Sequence, residues 1–207
     1  MRRIFGLCAA TAMMVSLSLV SQACADAPFA PPAPLLDPLT AKPGPHAVVQ
    51  TFRLDGVRGT LEKTTFADVQ KRFGGQVTRQ GEAGNALSWL CYDLPGQHLR
   101  VWLTSDEIHG HRLIGGVTIG PAASPANSPQ CPVIAGNASA DVDGIAVGQA
   151  TTAVRARLGA PGLEKEGWTA YVHTVAQSGG FTEQDSLVFK AEGGHIGYLQ
   201  ASRLTSN

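Results

Sequence analysis

The chain reads as an α+β protein built from two tandem units, each a short helix packed on an antiparallel sheet of three or four strands. Three observations predict this. A pattern through Gly59, Thr65, Val69, Phe73 and Gly74 returns about 85 residues later as Gly144, Ala150, Val154, Leu158 and Gly159, and self-similarity at a fixed period marks repeated supersecondary units. Each copy then runs into several strand-like stretches bounded by Gly and Pro. Two cysteines, Cys91 and Cys131, are placed to tie the first copy to the connector that follows it.

The elements follow in order. Arg2 and Arg3 precede an apolar run over 4–20 and then Ala23-Cys24-Ala25, the pattern of a secretory signal peptide over residues 1–25 cleaved near Ala25. The run is broken by Ser16 and Ser18 and is shorter than the ~20 residues of a spanning helix. The expected location is therefore the periplasm or the exterior. An outer-membrane lipoprotein is the lesser reading, because Val20-Ser21-Gln22-Ala23 lacks the Leu expected before a lipid-modified Cys24, and membrane contact is expected only if Cys24 carries lipid.

Cleavage takes the 16 basic side chains to 14 by removing Arg2 and Arg3, against 16 acidic ones. A near-neutral balance argues against a nucleic-acid partner. With 43% hydrophobic and 15% charged residues, the chain can build a core and is not disordered throughout. Cys8 and Cys24 lie in the targeting segment, so Cys91 and Cys131 remain to form one structural disulfide in an oxidising compartment. No Cys-x-x-Cys points to redox catalysis.

Residues 26–46 are Pro-rich and read as a linker outside the core. The first unit spans 47–120. A strand is predicted over 48–54, then a helix in which Phe66, Val69 and Phe73 share one face. Thr65 is its N-cap with Asp68 at N3, and Gly74-Gly75 stop it. Strands follow over 86–94, 98–103 and 112–119, the first two joined by a turn at Pro95-Gly96. A connector over 121–140, pinned by the disulfide, leads to the second unit over 141–207. That unit has a helix over 151–158 and strands over 168–176, 186–191 and 195–203. Ala150 stands where the first copy has the Thr65 cap.

Alternation places Leu99, Val101 and Leu103 on one side of their strand and Arg100 and Trp102 on the other. If Leu87 and Trp89 join the helix-facing side, Tyr92, Arg100 and Trp102 point outward, with Tyr171, His173, Val188 and Lys190 in matching places of the second unit. Tyr, Trp and Arg dominate binding hot spots, so Tyr92, Arg100, Trp102 and Tyr171 are the predicted contacts to a protein partner in the envelope. The bland alternative is that a loop covers these residues or that the two sheets pack together.

The second copy, with Gly144-Ile145, Gly148, Val154, Leu158-Gly159-Ala160-Pro161, Trp168, Tyr171, Leu187-Val188-Phe189 and Gly194-His195-Ile196, resembles the SmpA/OmlA domain. That family includes the small lipoprotein of the outer-membrane β-barrel assembly machinery. A tandem of such units is also similar to secreted β-lactamase inhibitory proteins. The resemblance implies a curved sheet with helices on one side, a partner gripped on the other, and no catalysis.

The chemistry-bearing clusters are few. His109-Gly110-His111 beside Asp106 and Glu107 offers metal-ligating types, but a zinc site needs a third and fourth ligand, and Gly110 favours a turn. Ser105, Asp106 and His109 are hydrolase types without demonstrated geometry. Asp141-Val142-Asp143-Gly144 lacks the later acids of a calcium loop. No nucleophile elbow, phosphate-binding loop or zinc-protease motif occurs. No catalytic residue, metal or cofactor is therefore expected, and a metal-dependent or hydrolytic periplasmic enzyme using His109 and His111 is the alternative.

Overall fold

A computed structural model describes residues 29–33, 37–45, 48–82, 84–122 and 125–206. The signal-peptide reading over 1–25 lies outside the described residues. Strands β1 (Thr51–Leu54) and β2 (Val57–Thr60) form a hairpin, followed by helix α1 (Phe66–Phe73). Strands β3 (Thr78–Gln80), β4 (Leu87–Leu94), β5 (Leu99–Ser105) and β6 (Gly116–Pro121) complete the first half. The second half carries β7 (Ala140–Val142), α2 (Thr151–Leu158), β8 (Leu163–Lys165), β9 (Trp168–Ala176), β10 (Thr182–Glu192) and β11 (His195–Ser206). Among the described residues, no helix is long and apolar enough to cross a membrane.

Among the described residues the protein is mainly β, with two antiparallel sheets of three and eight strands and two α-helices of eight residues each. The smaller sheet has the order β2-β1-β7 and the larger β3-β4-β5-β6-β11-β10-β9-β8. This corrects the expectation that each unit carries its own sheet. β6 lies antiparallel to β11, with Val117 opposite Ala201 and Ile119 opposite Leu199, so the larger sheet crosses the whole molecule. Short strands β2, β3, β7 and β8 escape a reading by alternation, since three or four residues hold at most two periods.

Local chemistry explains where each element starts. The β1–β2 hairpin turns on Asp55-Gly56, with φ of 44° and 80°; Asp-Gly suits a two-residue turn that needs positive φ at both positions. In α1 the expected cap is a full capping box: the Thr65 side chain accepts from the Asp68 amide, and the Asp68 carboxylate accepts from the Thr65 amide. Ala150 leaves α2 without a side-chain cap, and the hydroxyl of Thr151 donates instead to the Gly194 carbonyl. Thr65→Ala is expected to lower unfolding free energy by about 1 kcal/mol and Ala150→Ser to raise it by a comparable amount. Urea midpoints of the two variants check this.

One core lies between the inner face of the large sheet and a layer made of both helices and the small sheet. Phe66 and Val69 of α1, Val154 of α2, Phe52 and Leu54 of β1 and Val142 of β7 meet Leu90, Val101, Ile119, Leu187 and Leu199 in one buried cluster. The outer face is partly roofed by the chain itself. Cys91 of β4 is bonded to Cys131, as predicted, and the bond belongs to an oxidising compartment. The connector then runs beside β4, where the Asp93 amide donates to the Pro132 carbonyl and the Ile134 amide to the Asp93 carbonyl. The described parts of the Pro-rich stretch 26–46 lie on the sheet. Ala41 is buried with Ala170, Val172 and Val188, and Phe29 and Ala30 pack against the Trp89, Cys91 and Trp102 cluster.

Candidate functional site: the outer sheet face

Register decides which side chains reach the outer face. Cys91 stands opposite Trp102 and Asp93 opposite Arg100, and directly opposed residues share a face. Trp89, Cys91 and Asp93 therefore point outward with Arg100 and Trp102. Carried across β6 and β11, the same face holds Thr118, then Gln200 and Tyr198, then Val188 and Lys190, then Ala170 and Trp168.

Of the four predicted contacts, Arg100 and Trp102 do point outward and Tyr92 and Tyr171 do not. Tyr92 is fully buried on the core side, edge-on to Phe73, with its hydroxyl donating to the Gly74 carbonyl at 2.8 Å. Tyr171 stacks on Phe189, and its hydroxyl donates to the Gly159 carbonyl at 3.2 Å. Each ring thus closes the C-terminal end of a helix from below. The residues that the sequence reading assigned to the wrong side are Trp89 and Leu87. Counting outward from the Pro95-Gly96-Gln97 turn, which sets Leu94 opposite Leu99, would have placed Asp93 across from Arg100 and Trp89 on their side.

The face is a trough. Gly116, Thr118 and Gly120 of β6 form a low floor between Trp102 on one side and Tyr198 with Trp168 on the other. Gly120 is required there, because a Cβ would lie 2.8 Å from the Tyr198 ring and 3.8 Å from Trp102. Tyr198 and Trp168 meet edge to face at 5.4 Å. Arg100 binds the Asp93 carboxylate through Nε at 2.6 Å and Nη2 at 3.1 Å, and its guanidinium lies 5.9 Å from the Trp102 ring. The pair is close to bidentate, with Asp93 almost fully buried, so the guanidinium is held as a flat lid beside the indole. Residues 29–33 cross this end of the trough: Trp102 Nε1 donates to the Phe29 carbonyl at 2.9 Å, and Arg100 lies 5.2 Å from the Phe29 ring. An open cavity of about 660 Å³ lies on one side of that segment, against Trp89 and Arg100, and one of about 310 Å³ on the other, against Trp102, Trp168 and Tyr198.

No family model matches the chain, and no curated protein matches it. A solved Streptococcus mutans structure, named as a candidate beta-lactamase inhibitor protein, is similar at 9% identity. It covers 70% of this chain and 83% of its own, with a TM-score of 0.24. So loose an overlap fixes neither fold nor function here. No family model bears out the resemblance to the SmpA/OmlA domain.

The His109 cluster lies elsewhere, in the turn between β5 and β6. His109 is buried and His111 is held apart from it, hydrogen-bonded through Nδ1 to the Ser88 hydroxyl at 3.1 Å. Among the described residues, the group spaced for a metal is Cys91, Asp93 and Cys131, whose sulfurs are bonded to each other. Ser105 Oγ has no partner among the described residues, and His109 turns both nitrogens to other groups, so the two form no nucleophile–base pair. His109 Nδ1 meets the Asp106 carboxylate at 2.5 Å, while Nε2 meets the Glu62 carboxylate at 3.2 Å and the Arg203 carbonyl at 3.1 Å.

Acceptors at both nitrogens suit the doubly protonated ring. Burial opposes that charge, but the hydrogen bond and charge of Asp106, with Glu62 and the Arg203 carbonyl, outweigh it and hold the His109 pKa above its ordinary value. A raised folded-state pKa gives stability that is full below about pH 6.5 and is lost as pH climbs through the raised value. Asp106 acts on the acid side. Burial pushes its pKa up, the His109 hydrogen bonds and charge pull it further down, and its contribution fades as pH falls through the lowered value. Urea unfolding between pH 6 and 9 should show wild-type stability declining, with a shallower decline in His109→Gln.

Proposed function

We propose that the chain is a non-catalytic protein-binding module of the cell envelope, exported, oxidised, and built from two copies of one hairpin–helix–sheet unit. The outer sheet face carries the binding reading. The opposite face is spent on the core, while this one offers Trp89, Trp102, Trp168 and Tyr198 around a glycine-floored trough, the aromatic anchors that concentrate binding energy. Arg100 and Trp102 are the central contacts, and Lys190 stands at the rim.

Several pairings support the duplication. Helices α1 and α2 have eight residues each and begin at Phe66 and Thr151. Turns at Asp55-Gly56 and Asp143-Gly144 share positive φ at both positions, which makes Gly56 rather than Gly59 the counterpart of Gly144. The Phe66 amide donates to Arg112 as the Thr151 amide does to Gly194, and the Ile114 amide to Thr64 as the Ile196 amide does to Gln149. Tyr92 and Tyr171 close the two helix ends alike. The order β3-β4-β5-β6 then β11-β10-β9-β8 reads the same from either edge, as an approximate dyad between β6 and β11 requires. Edge-to-edge joining doubles the width of the outer face, which one four-stranded unit would not supply.

The test is affinity capture of the tagged protein from envelope extracts, beside Trp102→Ala and the rim variant Lys190→Glu, with circular dichroism to show that both fold. A partner recovered by wild type and depleted from both variants supports the surface. Equal recovery from all three rejects it. Mass spectrometry of the mature protein reports cleavage near Ala25, any acyl group on Cys24 and the Cys91–Cys131 bond together.

A further inference from the structure

We propose that the outer-face trough binds a proline-rich, extended segment of the partner protein, in the place that residues 29–33 of this chain occupy. The inference rests on the reading of this face as the partner surface and names what the partner presents. The seated segment, Phe29-Ala30-Pro31-Pro32-Ala33, shows the chemistry of the site. Pyrrolidine rings fix φ at Pro31 and Pro32, and a following proline disposes Ala30 and Pro31 to extended backbone, so Ala30-Pro31-Pro32 favours polyproline II, entered through a turn at Phe29 with φ of 59°. Such backbone makes no internal hydrogen bonds and presents its carbonyls to a host.

The trough supplies the complementary groups. Trp102 Nε1 already donates to the Phe29 carbonyl, at the turn that leads into the prolines. Trp89 offers a second indole donor. It is 1% exposed, lines the same cavity as Phe29–Ala33, and its Nε1 has no acceptor among the described residues. Pairing of indole donors with carbonyls, and of flat aromatic walls with proline rings, is how proline-rich segments are read by aromatic grooves. The further walls, Trp168 and Tyr198, border the cavity on the far side of Pro32 and Ala33. Cavities of about 660 and 310 Å³ border the five described residues, the first also lined by Trp89 and Arg100 and the second by Trp102, Trp168 and Tyr198. The chain's own segment is tethered, so it competes at an effective concentration on the millimolar scale and weakens a ligand arriving from outside.

The experiment titrates the full mature chain with a synthetic peptide of residues 27–35, APFAPPAPL, and follows tryptophan fluorescence and calorimetry. Pro31→Gly with Pro32→Gly loosens the tethered segment and should tighten peptide binding by about tenfold or more, through relief of cis competition. In that background Trp102→Phe keeps a ring and removes the donor, and should weaken binding by about tenfold, as should Trp89→Phe. A peptide with its prolines replaced by alanine should bind correspondingly less well. Circular dichroism establishes that each variant folds. No peptide binding, or binding indifferent to proline content or to Trp102→Phe, overturns the inference. If envelope capture still depends on Trp102 in that event, the partner surface stands and only the proline-rich class falls. Self-association of the loosened variant through the trough, read by light scattering without peptide binding, would assign the site to a second copy and overturn it equally.

Discussion

Replacing Cys91 and Cys131 together by alanine is expected to cost about 4 kcal/mol, because the bond closes a loop with a sequence separation of 40 residues and removes that freedom from the unfolded chain. Small domains have margins of only about 5–15 kcal/mol, so the variant should unfold at markedly lower denaturant. The loss reaches further than chain entropy. Cys131 and its neighbours hold the connector beside the end of β4 that β3 does not pair with, where Asp93 exchanges backbone hydrogen bonds with Pro132 and Ile134. Without the bond, amide exchange at Asp93 and Ile134 should accelerate together, while exchange in β9 and β10, at the other end of the sheet, follows global unfolding. A variant with wild-type denaturant midpoint would show that the bond contributes no stability.

Arg203→Met is expected to destabilise by about 3–5 kcal/mol, the cost of leaving a buried charge without its partner. Arg203 and Asp185 stand directly opposite on β11 and β10, on the core side of the sheet. Nε donates to Oδ1 at 2.7 Å and Nη2 to Oδ2 at 3.1 Å, with Asp185 1% exposed, and Glu183 adds a contact at 3.2 Å. Burial alone would lower the arginine's pKa, but Asp185 and the nearby acids raise it, so the charge is firmly held. Arg203→Lys should recover only part of the loss, because an ammonium cannot bind both carboxylate oxygens in the plane. The double change Arg203→Met with Asp185→Leu should recover most of it, since a buried pair replaced by apolar groups is often neutral. Urea unfolding of these variants beside the single change Asp185→Leu closes the double-mutant cycle.

Legibility varied along the chain for physical reasons. Strand β5 was readable face by face, since Leu99, Val101 and Leu103 alternate with Arg100, Trp102 and Thr104. Strand β4 was not, because Leu87-Ser88-Trp89-Leu90-Cys91-Tyr92-Asp93-Leu94 is apolar on both sides and nearly all of it is buried. Tyr92 was placed on the wrong face for that reason. Tyr92 and Tyr171 look like surface anchors in composition, yet their hydroxyls serve helix ends inside the core. The third trough aromatic, Trp168, and the fourth, Tyr198, lie in strands whose registers were invisible until β10 and β11 were paired. The Pro-rich stretch was read as a linker outside the core, yet Phe29, Ala30 and Ala41 of its described residues pack on the sheet, a seat that depends on aromatics some seventy residues away.

The sequence alone determined the local units: the helix cap at Thr65 and Asp68, the Pro95-Gly96 turn, the two helices, the long strands and the pairing of Cys91 with Cys131. Each depends on residues near one another in the chain or on a choice with a single partner left. Only the tertiary structure decided that β6 meets β11, that β1 meets β7, and therefore which aromatics share the outer face. Those are contacts between strands far apart in sequence, and a shift of one residue in their register turns every side chain to the opposite face.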